Sequence, residues 1–250
     1  MKLQYVSDIH LEFRKEIPII CPTGGYHLSD RDNYLALCGD IGDPFLPNYE
    51  EFLSIHSKLY QHIIVISGNH EYFHHTIQES NDKILEIVNK YNNITYLNMS
   101  SIVIGQTKFV GCTLWSDVSA IKEQAQSFMN DCKKINISID QKLSVDNIIE
   151  LHSRMREFLD QEISSSDRDI IVLTHHAPTF GMLPMLDQYS PCYASNCDDL
   201  IRKPVKYWIS GHTHACLTYL VDNVTCISNC MGYILQESPD FNPSSYLIFY

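Results

Sequence analysis

The chain lacks the features of several common classes of protein. Its nine cysteines are an odd number and include no CxxC pair, and their spacing does not match a zinc knuckle. No apolar run approaches the ~20 residues of a membrane span, and the first residues, MKLQYVSDIH, contain no apolar signal core. Lysine and arginine number 18 against 30 acidic residues, with no basic run, which argues against a broad surface for nucleic acid. We therefore expect a soluble, cytoplasmic protein with reduced thiols and no membrane contact.

The chain does contain a succession of apolar strands, and its 250 residues are enough for one large domain. Helical spacing appears at 48–60 and 76–91, and apolar runs predict strands at 3–6, 34–38, 62–67, 94–97, 101–104, 107–113, 170–174, 205–209, 217–221, 224–228 and 246–250. The order of these elements predicts an α/β fold of two packed β-sheets with helices outside. Residues 117–168 are polar and helical, with Ser144 as a helix cap, and we interpret them as a helical insertion or cap within a single domain, 1–250.

Five of the predicted strands end in side chains that commonly bind metals. They deliver Asp8 and His10, Asp40 and Asp43, Asn69 with His70 and Glu71, His175 and His176, and His212 and His214. An isolated aspartate at a strand end is usually a turn residue, and an isolated histidine is usually a satisfied core or surface group. In α/β sheets, however, functional side chains lie just beyond the carboxyl ends of the strands. Five such loops in succession therefore indicate a metal centre.

The mixture of side chains limits the kind of centre. Imidazole and carboxylate together suit manganese, iron, zinc or nickel, and the lack of thiolate in the set argues against a structural zinc site. Such a number of candidate ligands is too large for one open catalytic ion but suits two ions that share a bridging ligand. Two ions about 3.5–4 Å apart form the clamp used for in-line displacement at phosphorus.

The ordered motifs D-x-H, G-D-x-x-D, G-N-H-E, T-H-H and G-H-T-H, between Leu3 and His214, resemble those of the calcineurin-like metallophosphoesterase superfamily. The resemblance implies two mixed β-sheets packed face to face with helices on both sides. LWSD at 114–117, MND at 129–131 and the helix after Ser144 also resemble small bacterial and viral members of unassigned substrate.

The resemblance also implies a role for each motif residue. One ion would be held by Asp8, His10 and His214 and the other by Asn69, His175 and His212, with Asp40 bridging them and manganese the favoured metal. His70 would be the general acid facing the leaving-group oxygen. Asp43 would orient His70, although it could instead end a turn before Pro44.

These roles predict a phosphoesterase in which a metal-bridging hydroxide attacks a phosphomonoester or phosphodiester in line, while His70 protonates the leaving group. A small-molecule substrate is favoured. Pro44 stands where protein phosphatases of the family carry an arginine, so a phosphoprotein substrate is disfavoured; Arg14 could substitute as a phosphate clamp. A metal-dependent nuclease of the same fold is one alternative, disfavoured by the acidic charge. A non-catalytic scaffold is another, disfavoured because all ligands and His70 are present.

Several further residues allow two interpretations. His74 and His75 either line the substrate cleft or begin a solvated helix. His176 lies beside a predicted ligand and could support it from behind. Tyr193 and Asn229 belong to loops that we expect to approach the cleft. The oligomeric state and the substrate stay open at this level.

Overall fold

The computed structural model describes residues 1–22 and 32–250, which form two large sheets. The first sheet has the order β13-β1-β2-β3-β4, where the strands are β1 (Lys2–Val6), β2 (Asn33–Cys38), β3 (His62–Ile66), β4 (Ile94–Tyr96) and β13 (Tyr246–Ile248). Its strands run parallel except β13, which pairs antiparallel with β1.

The second sheet is also mixed. Its order is β11-β12-β10-β9-β6-β5, from β5 (Ser100–Ile104), β6 (Thr107–Cys112), β9 (Ile170–Thr174), β10 (Val205–Ser210), β11 (Thr218–Val221) and β12 (Val224–Ser228). The four central strands are parallel, and an antiparallel hairpin closes each edge. A separate two-stranded ribbon is formed by β7 (Asn136–Ser138) and β8 (Gln141–Lys142).

The two sheets pack face to face, as the predicted α/β fold requires. Ile64 and Ile66 of β3 join a buried cluster with Phe109 and Leu173 of the second sheet. The alternate residues of β3 point to the other face, where Val65 packs with residues of two helices. A strand buried on both faces must be apolar throughout, which explains the unbroken aliphatic run.

Helices cover the outer face of each sheet. Helices α1 (Pro47–Ser57) and α2 (Ile77–Val88) cover the first sheet, and α5 (Val145–Ser164) packs on the second through Met155, Leu159 and Ile163. Ser144 caps α5 through the backbone N–H of Asn147, as predicted. Both earlier helices end about one turn before the predicted bounds.

Residues 117–168 are more varied than the predicted helical insertion. They contain two short helices, α3 (Lys122–Phe128) and α4 (Asp131–Lys134), the β7–β8 ribbon, and α5. Because the apolar face of α5 belongs to the core, this helix is a layer of the sandwich rather than a cap. Of the segment, residues 128–131 are the part that borders the cleft described below. The extent of the domain, 1–250, stays a prediction.

The topology brings the motif loops to one edge. The parallel strands β1, β2 and β3 end there in one sheet, and β9 and β10 end there in the other. Backbone hydrogen bonds join the loops, from Asp8 N to Gly39 O and from Gly211 N to His175 O. Within 1–22 and 32–250, no helix combines the length and apolar character needed to cross a bilayer.

Candidate metal centre

The seven predicted ligands converge at this edge of the two sheets. Three groups of donor atoms among the described residues each lie within 4.8 Å of one another, and one of them is His10, Glu12 and His70. The other two consist of predicted ligands: Asp8, His10 and His214 (the first donor group), and Asp40, His175 and His212 (the second donor group). Nε2 of His175 lies 3.2 Å from Oδ1 of Asn69, which adds the amide to the second group. Oδ2 of Asp40 lies 3.3 Å from Nε2 of His175 and 3.8 Å from Nε2 of His10, so this carboxylate stands between the groups.

The backbone of the loops is unusual. Five of the predicted ligands have a left-handed backbone, with φ between 50° and 64°: Asp8, His10, Asp40, His212 and His214. Such a conformation is uncommon for residues other than glycine, and each instance costs on the order of 1–3 kcal/mol. The concentration of this strain in one cluster is typical of a functional site.

Two glycines leave room for the ligands. Gly39 has φ +83°, and a Cβ placed on it would lie 2.5 Å from Nδ1 of His175. A Cβ on Gly68 would lie 2.2 Å from Oδ1 of Asp40. The glycines that precede Asp40 and Asn69 are therefore needed for the close approach of the two loops.

Glu71 joins the loops that follow β2 and β3. Its buried carboxylate accepts hydrogen bonds from the backbone N–H groups of Asp40 (2.9 Å), Ile41 (2.7 Å) and Gly68 (2.7 Å). Burial, together with the charge of Asp40, raises the pKa of Glu71 to about 7. The last residue of the GNHE motif thus fixes the loops that carry the ligands.

Asn69 is oriented by a residue of α4. Its Nδ2 donates a hydrogen bond of 2.8 Å to Oδ1 of Asp131, which leaves the amide oxygen facing His175. Asp131 is buried, and burial raises its pKa. The MND sequence therefore has a structural purpose, because its aspartate selects which atom of Asn69 faces the donor group.

The electrostatics of the cluster fit divalent cations. Burial raises the pKa of Asp8 and Asp40, but neighbouring histidines, chiefly His214 and His175, hold both below the usual range. Burial lowers the pKa of His175, but the charge of Asp40 outweighs burial and raises this pKa to about 10. Burial and the charge of His175 lower the pKa of His212 to about 3. Two buried carboxylates among imidazoles and an amide oxygen form a donor set suited to two divalent metals.

The structure corrects the predicted partner of His70. Nδ1 of His70 lies 2.7 Å from Oε1 of Glu12, which also lies 3.2 Å from Nδ1 of His10. Asp43 instead accepts a hydrogen bond of 2.9 Å from the N–H of Phe45 and lies 3.9 Å from His75. The prediction that Asp43 orients His70 is therefore wrong, and Asp43 ends the turn around Pro44.

The local backbone explains why Glu12, and not Asp43, contacts His70. The left-handed conformation of His10 starts a single turn of 3-10 helix, Leu11–Phe13, which brings Glu12 back towards both imidazoles. Burial raises the pKa of Glu12, but its bonds to His10 and His70 lower it to about 2. The signal in the sequence is an acidic residue two positions after the D-x-H motif.

Tyr233 is a second residue of the site that the sequence does not predict. Its hydroxyl lies 3.2 Å from Nε2 of His70, and its ring centroid lies 4.3 Å from that of His10. Arg14 holds the loop of Tyr233 by donating to the carbonyl of Gly232 (2.9 Å) and pairing with Glu237 (2.6 Å). Because these contacts occupy its guanidinium, Arg14 stabilises the loop of Tyr233 and does not act as a phosphate clamp. No motif surrounds Tyr233, so the sequence carried no signal for it.

The remaining candidates divide between the cleft and the interior. The Tyr193 ring lies 5.4 Å from that of His212, and His176 is buried behind His212 with ring centroids 4.1 Å apart. Asn229 instead anchors β1 by donating a hydrogen bond of 2.9 Å to the carbonyl of Tyr5. Among the described residues that line the cleft, neither His74 nor His75 appears.

The donor groups form the floor of a cleft of about 500 Å³. Asp40, Asn69, His70, His212 and His214 all reach it. A cavity of this volume is of the size that takes a small molecule. Four of the seven predicted ligands and the predicted general acid therefore line one accessible cleft, and Asp8, His10 and His175 are buried beneath it.

Comparisons with known proteins agree with this geometry. A family model described as calcineurin-like phosphoesterase matches residues 1–216. The chain is 30% identical, over 98% of its length and 95% of the relative's, to an uncharacterized protein of Acanthamoeba polyphaga mimivirus.

Solved structures show the same fold. A phosphopantetheinyl hydrolase from Mycobacterium tuberculosis matches with a TM-score of 0.72 at 15% identity, covering 94% of this chain and 90% of that one. A dimetal phosphatase from Danio rerio matches with a TM-score of 0.60 at 13% identity, covering 98% and 90%. Such identities show the fold alone. Together with the family model and the converging donor groups, they establish that the chain belongs to the calcineurin-like phosphoesterase family, whose members generally bind two divalent metals.

Proposed function

We propose that this protein is a two-metal phosphoesterase that hydrolyses a phosphomonoester or a phosphodiester of a small molecule. The observation that carries the proposal is the pair of donor groups on either side of Asp40 at the floor of an open cleft. A reducing, cytoplasmic location fits this proposal, because seven of the nine cysteines are buried as unbridged thiols.

Each donor group would hold one ion. Asp8, His10 and His214 supply the first set, and Asn69, His175 and His212 supply the second, with Asp40 shared between them. Manganese is the favoured metal for this mixture of carboxylate, amide and imidazole, with iron, zinc or nickel as alternatives. When bound, two such ions supply charge that neutralises the phosphate oxygens and activates water for in-line attack.

His70 is placed to transfer a proton rather than to bind metal. Glu12 accepts from its Nδ1, and its Nε2 lies on the cleft side, 3.2 Å from the hydroxyl of Tyr233 and 4.0 Å from Oδ2 of Asp40. Burial lowers the pKa of His70, but the charges of Asp40 and Glu12 outweigh this effect and raise it. A protonated Nε2 can donate to the oxygen of a departing alcohol, which is the general-acid role.

The alternatives have less support from the site. A nuclease needs several cationic contacts to phosphates, and none of the described residues that line the cleft is a lysine or arginine. The backbone at Asp8, His10 and Asp40 is strained, and this strain lowers stability. A non-catalytic scaffold would gain no activity to offset that loss.

A hydrolysis panel tests the proposal. Purified protein with added Mn²⁺ is assayed on 4-nitrophenyl phosphate, bis(4-nitrophenyl) phosphate, cyclic nucleotides and single-stranded DNA. We expect turnover of at least one small ester, and its loss in Asp40→Ala. Absence of turnover on every ester with each of the four candidate metals would overturn the proposal, and preferential cleavage of DNA would favour the nuclease.

A further inference from the structure

The cleft has an apolar wall beside its polar floor. The wall is formed by side chains from three parts of the chain, and we define the apolar wall as Phe73, Phe128, Met129, Leu183, Met185 and Tyr193. Phe128 is 42% exposed and Met185 is 74% exposed, so large apolar groups here face solvent. The Phe128 ring stacks on that of Tyr189, with centroids 4.2 Å apart, which holds it upright beside the opening.

Charge in the cleft is one-sided. Among the described residues that line it, none is a lysine or arginine, whereas Asp131 and Asp187 are acidic. Arg14 is committed to Glu237 and to backbone carbonyls. Lys134 has its ammonium 4.7 Å from the centroid of the Phe73 ring but does not line the cleft. The metal floor could therefore neutralise one phosphate, while no lysine or arginine among the described residues that line the cleft is available to a second anionic group.

These features select a kind of substrate. A group placed against the apolar wall gains by removing hydrocarbon from water, about 0.8 kcal/mol for each methylene buried. A polar sugar gains less of this kind, and a carboxylate or a second phosphate loses hydration with no lysine or arginine among the described lining residues to compensate for it.

From this we infer that the cleft takes a phosphate ester whose organic group is apolar and uncharged, and that the apolar wall recognises that group. The inference rests on the proposed phosphoesterase function and extends it to a substrate class. The reaction remains hydrolysis: the P–O bond to the leaving group breaks, a P–O bond to water forms, and the departing oxygen gains a proton.

A series of diesters with one leaving group provides the test. The Mn²⁺-loaded protein is assayed on methyl, butyl and hexyl 4-nitrophenyl phosphate and on the 4-nitrophenyl ester of thymidine 5′-phosphate. The nitrophenolate is common to all four, so differences in kcat/KM report recognition of the other group. We expect kcat/KM to rise roughly two- to four-fold for each added methylene that reaches the wall, and the thymidine ester to be slower than the butyl ester.

Matched variants locate the effect. Met185→Ser and Leu183→Ser should flatten the dependence of kcat/KM on chain length, so that the hexyl ester loses more than the methyl ester. Leu186→Ser is the control, because Leu186 is 66% exposed in the same segment but does not line the cleft. This control should keep the wild-type dependence.

A binding measurement separates this inference from the proposed function. Titration calorimetry with methyl- and hexylphosphonate, which are not hydrolysed, needs no turnover. We expect tighter binding of hexylphosphonate by at least ten-fold, with a more negative heat-capacity change, and loss of the difference in Met185→Ser. If no ester is hydrolysed but this difference is found, the proposed function fails and the recognition stands. Equal binding of both phosphonates, or a preference for the thymidine ester, overturns the inference.

Discussion

At the scale of single residues, the site depends on one carboxylate that serves two imidazoles. Glu12 lies 2.7 Å from His70 and 3.2 Å from His10, so it fixes a proposed acid and a proposed metal ligand together. Tyr233 approaches the opposite nitrogen of His70 at 3.2 Å. His70 is thereby held at both ring nitrogens before substrate arrives.

His70→Ala tests the acid role. The variant loses no proposed coordinating atom, so both ions should remain, while turnover falls by on the order of 10²–10⁴-fold. The loss should be small for a nitrophenyl ester, whose leaving group departs without a proton, and largest for an alkyl ester. Measured rates on both esters, with metal content by elemental analysis, check this. Equal losses on the two esters would exclude proton donation and leave His70 a positioning residue.

Glu12→Gln and Asp43→Asn form a matched pair that tests the corrected partner of His70. Glu12→Gln should lower turnover of an alkyl phosphate ester by about 10–100-fold, because the imidazole loses its charged acceptor. The nitrophenyl ester should lose less. Asp43→Asn should stay within about two-fold, since Asp43 faces the turn at Phe45. A larger loss on the alkyl ester for Asp43→Asn than for Glu12→Gln would restore the original prediction.

The site residues that the sequence predicts differ in one physical respect from those that it does not predict. Asp8, Asn69 and His175 follow apolar strands directly, so the topology of a parallel sheet fixes where they lie. Glu12 reaches His70 only because His10 adopts a left-handed backbone, and Tyr233 arrives from a loop far along the chain. Neither a strained dihedral angle nor a contact from a distant loop produces a periodic pattern of residues in the sequence, so neither can be predicted from such a pattern.

At the scale of elements, α1 is joined to the segment before β2 by a buried histidine. His56 donates from Nδ1 to the carbonyl of Phe52 (2.7 Å) and accepts at Nε2 from the N–H of Ile20 (3.0 Å). The bond accepted at Nε2 requires a neutral ring, and burial lowers the pKa of His56 to about 4.

This arrangement predicts acid sensitivity. An unfolded chain binds the proton near pH 6.5 and the folded chain only near pH 4, so the stability linked to neutral His56 is complete above pH 6.5 and is lost as the pH falls towards 4. Between pH 7 and 4.5 the contribution is about 2–3 kcal/mol. Urea unfolding of metal-free protein at both pH values should show a smaller pH dependence in His56→Gln. An unchanged dependence in the variant would show that other groups carry it.

The packing of α5 gives a second prediction about an element. Leu159 is fully buried between α5 and the second sheet, so Leu159→Ala should lower the free energy of unfolding by about 2–5 kcal/mol. Arg154→Ala on the exposed face of the same helix should change it by about 0.5 kcal/mol or less. Denaturant unfolding measures both. If α5 were a dispensable cap, the two variants would behave alike.

The elements themselves were largely readable from the sequence. The unbroken aliphatic runs of β3 and β9 predict central strands, because a strand that is buried on both faces must be apolar throughout. The placement of α5 was harder, because amphipathic spacing shows that a helix has an apolar face but not which surface covers it. Its capping residue, Ser144, was predicted from chemistry that is local to the sequence.

At the scale of the whole molecule, the chain has a net charge of −12, and part of its negative charge is concentrated in the carboxylates of the site. Such a field draws divalent cations towards the cleft and repels polyanions. The fold adds to this by closing two mixed sheets on each other, so that strand ends from both meet at one edge. Neither sheet holds the complete set of donors, which makes the sandwich itself a condition for the centre.

Metal stoichiometry tests the central claim most directly. Elemental analysis after loading with Mn²⁺ and removal of excess should give two ions per chain in the wild type. Asp40→Ala should lose most of both, because Oδ2 of Asp40 stands between the two donor groups. One ion or fewer in fully loaded wild-type protein, or two ions retained in Asp40→Ala, would contradict a shared two-metal centre.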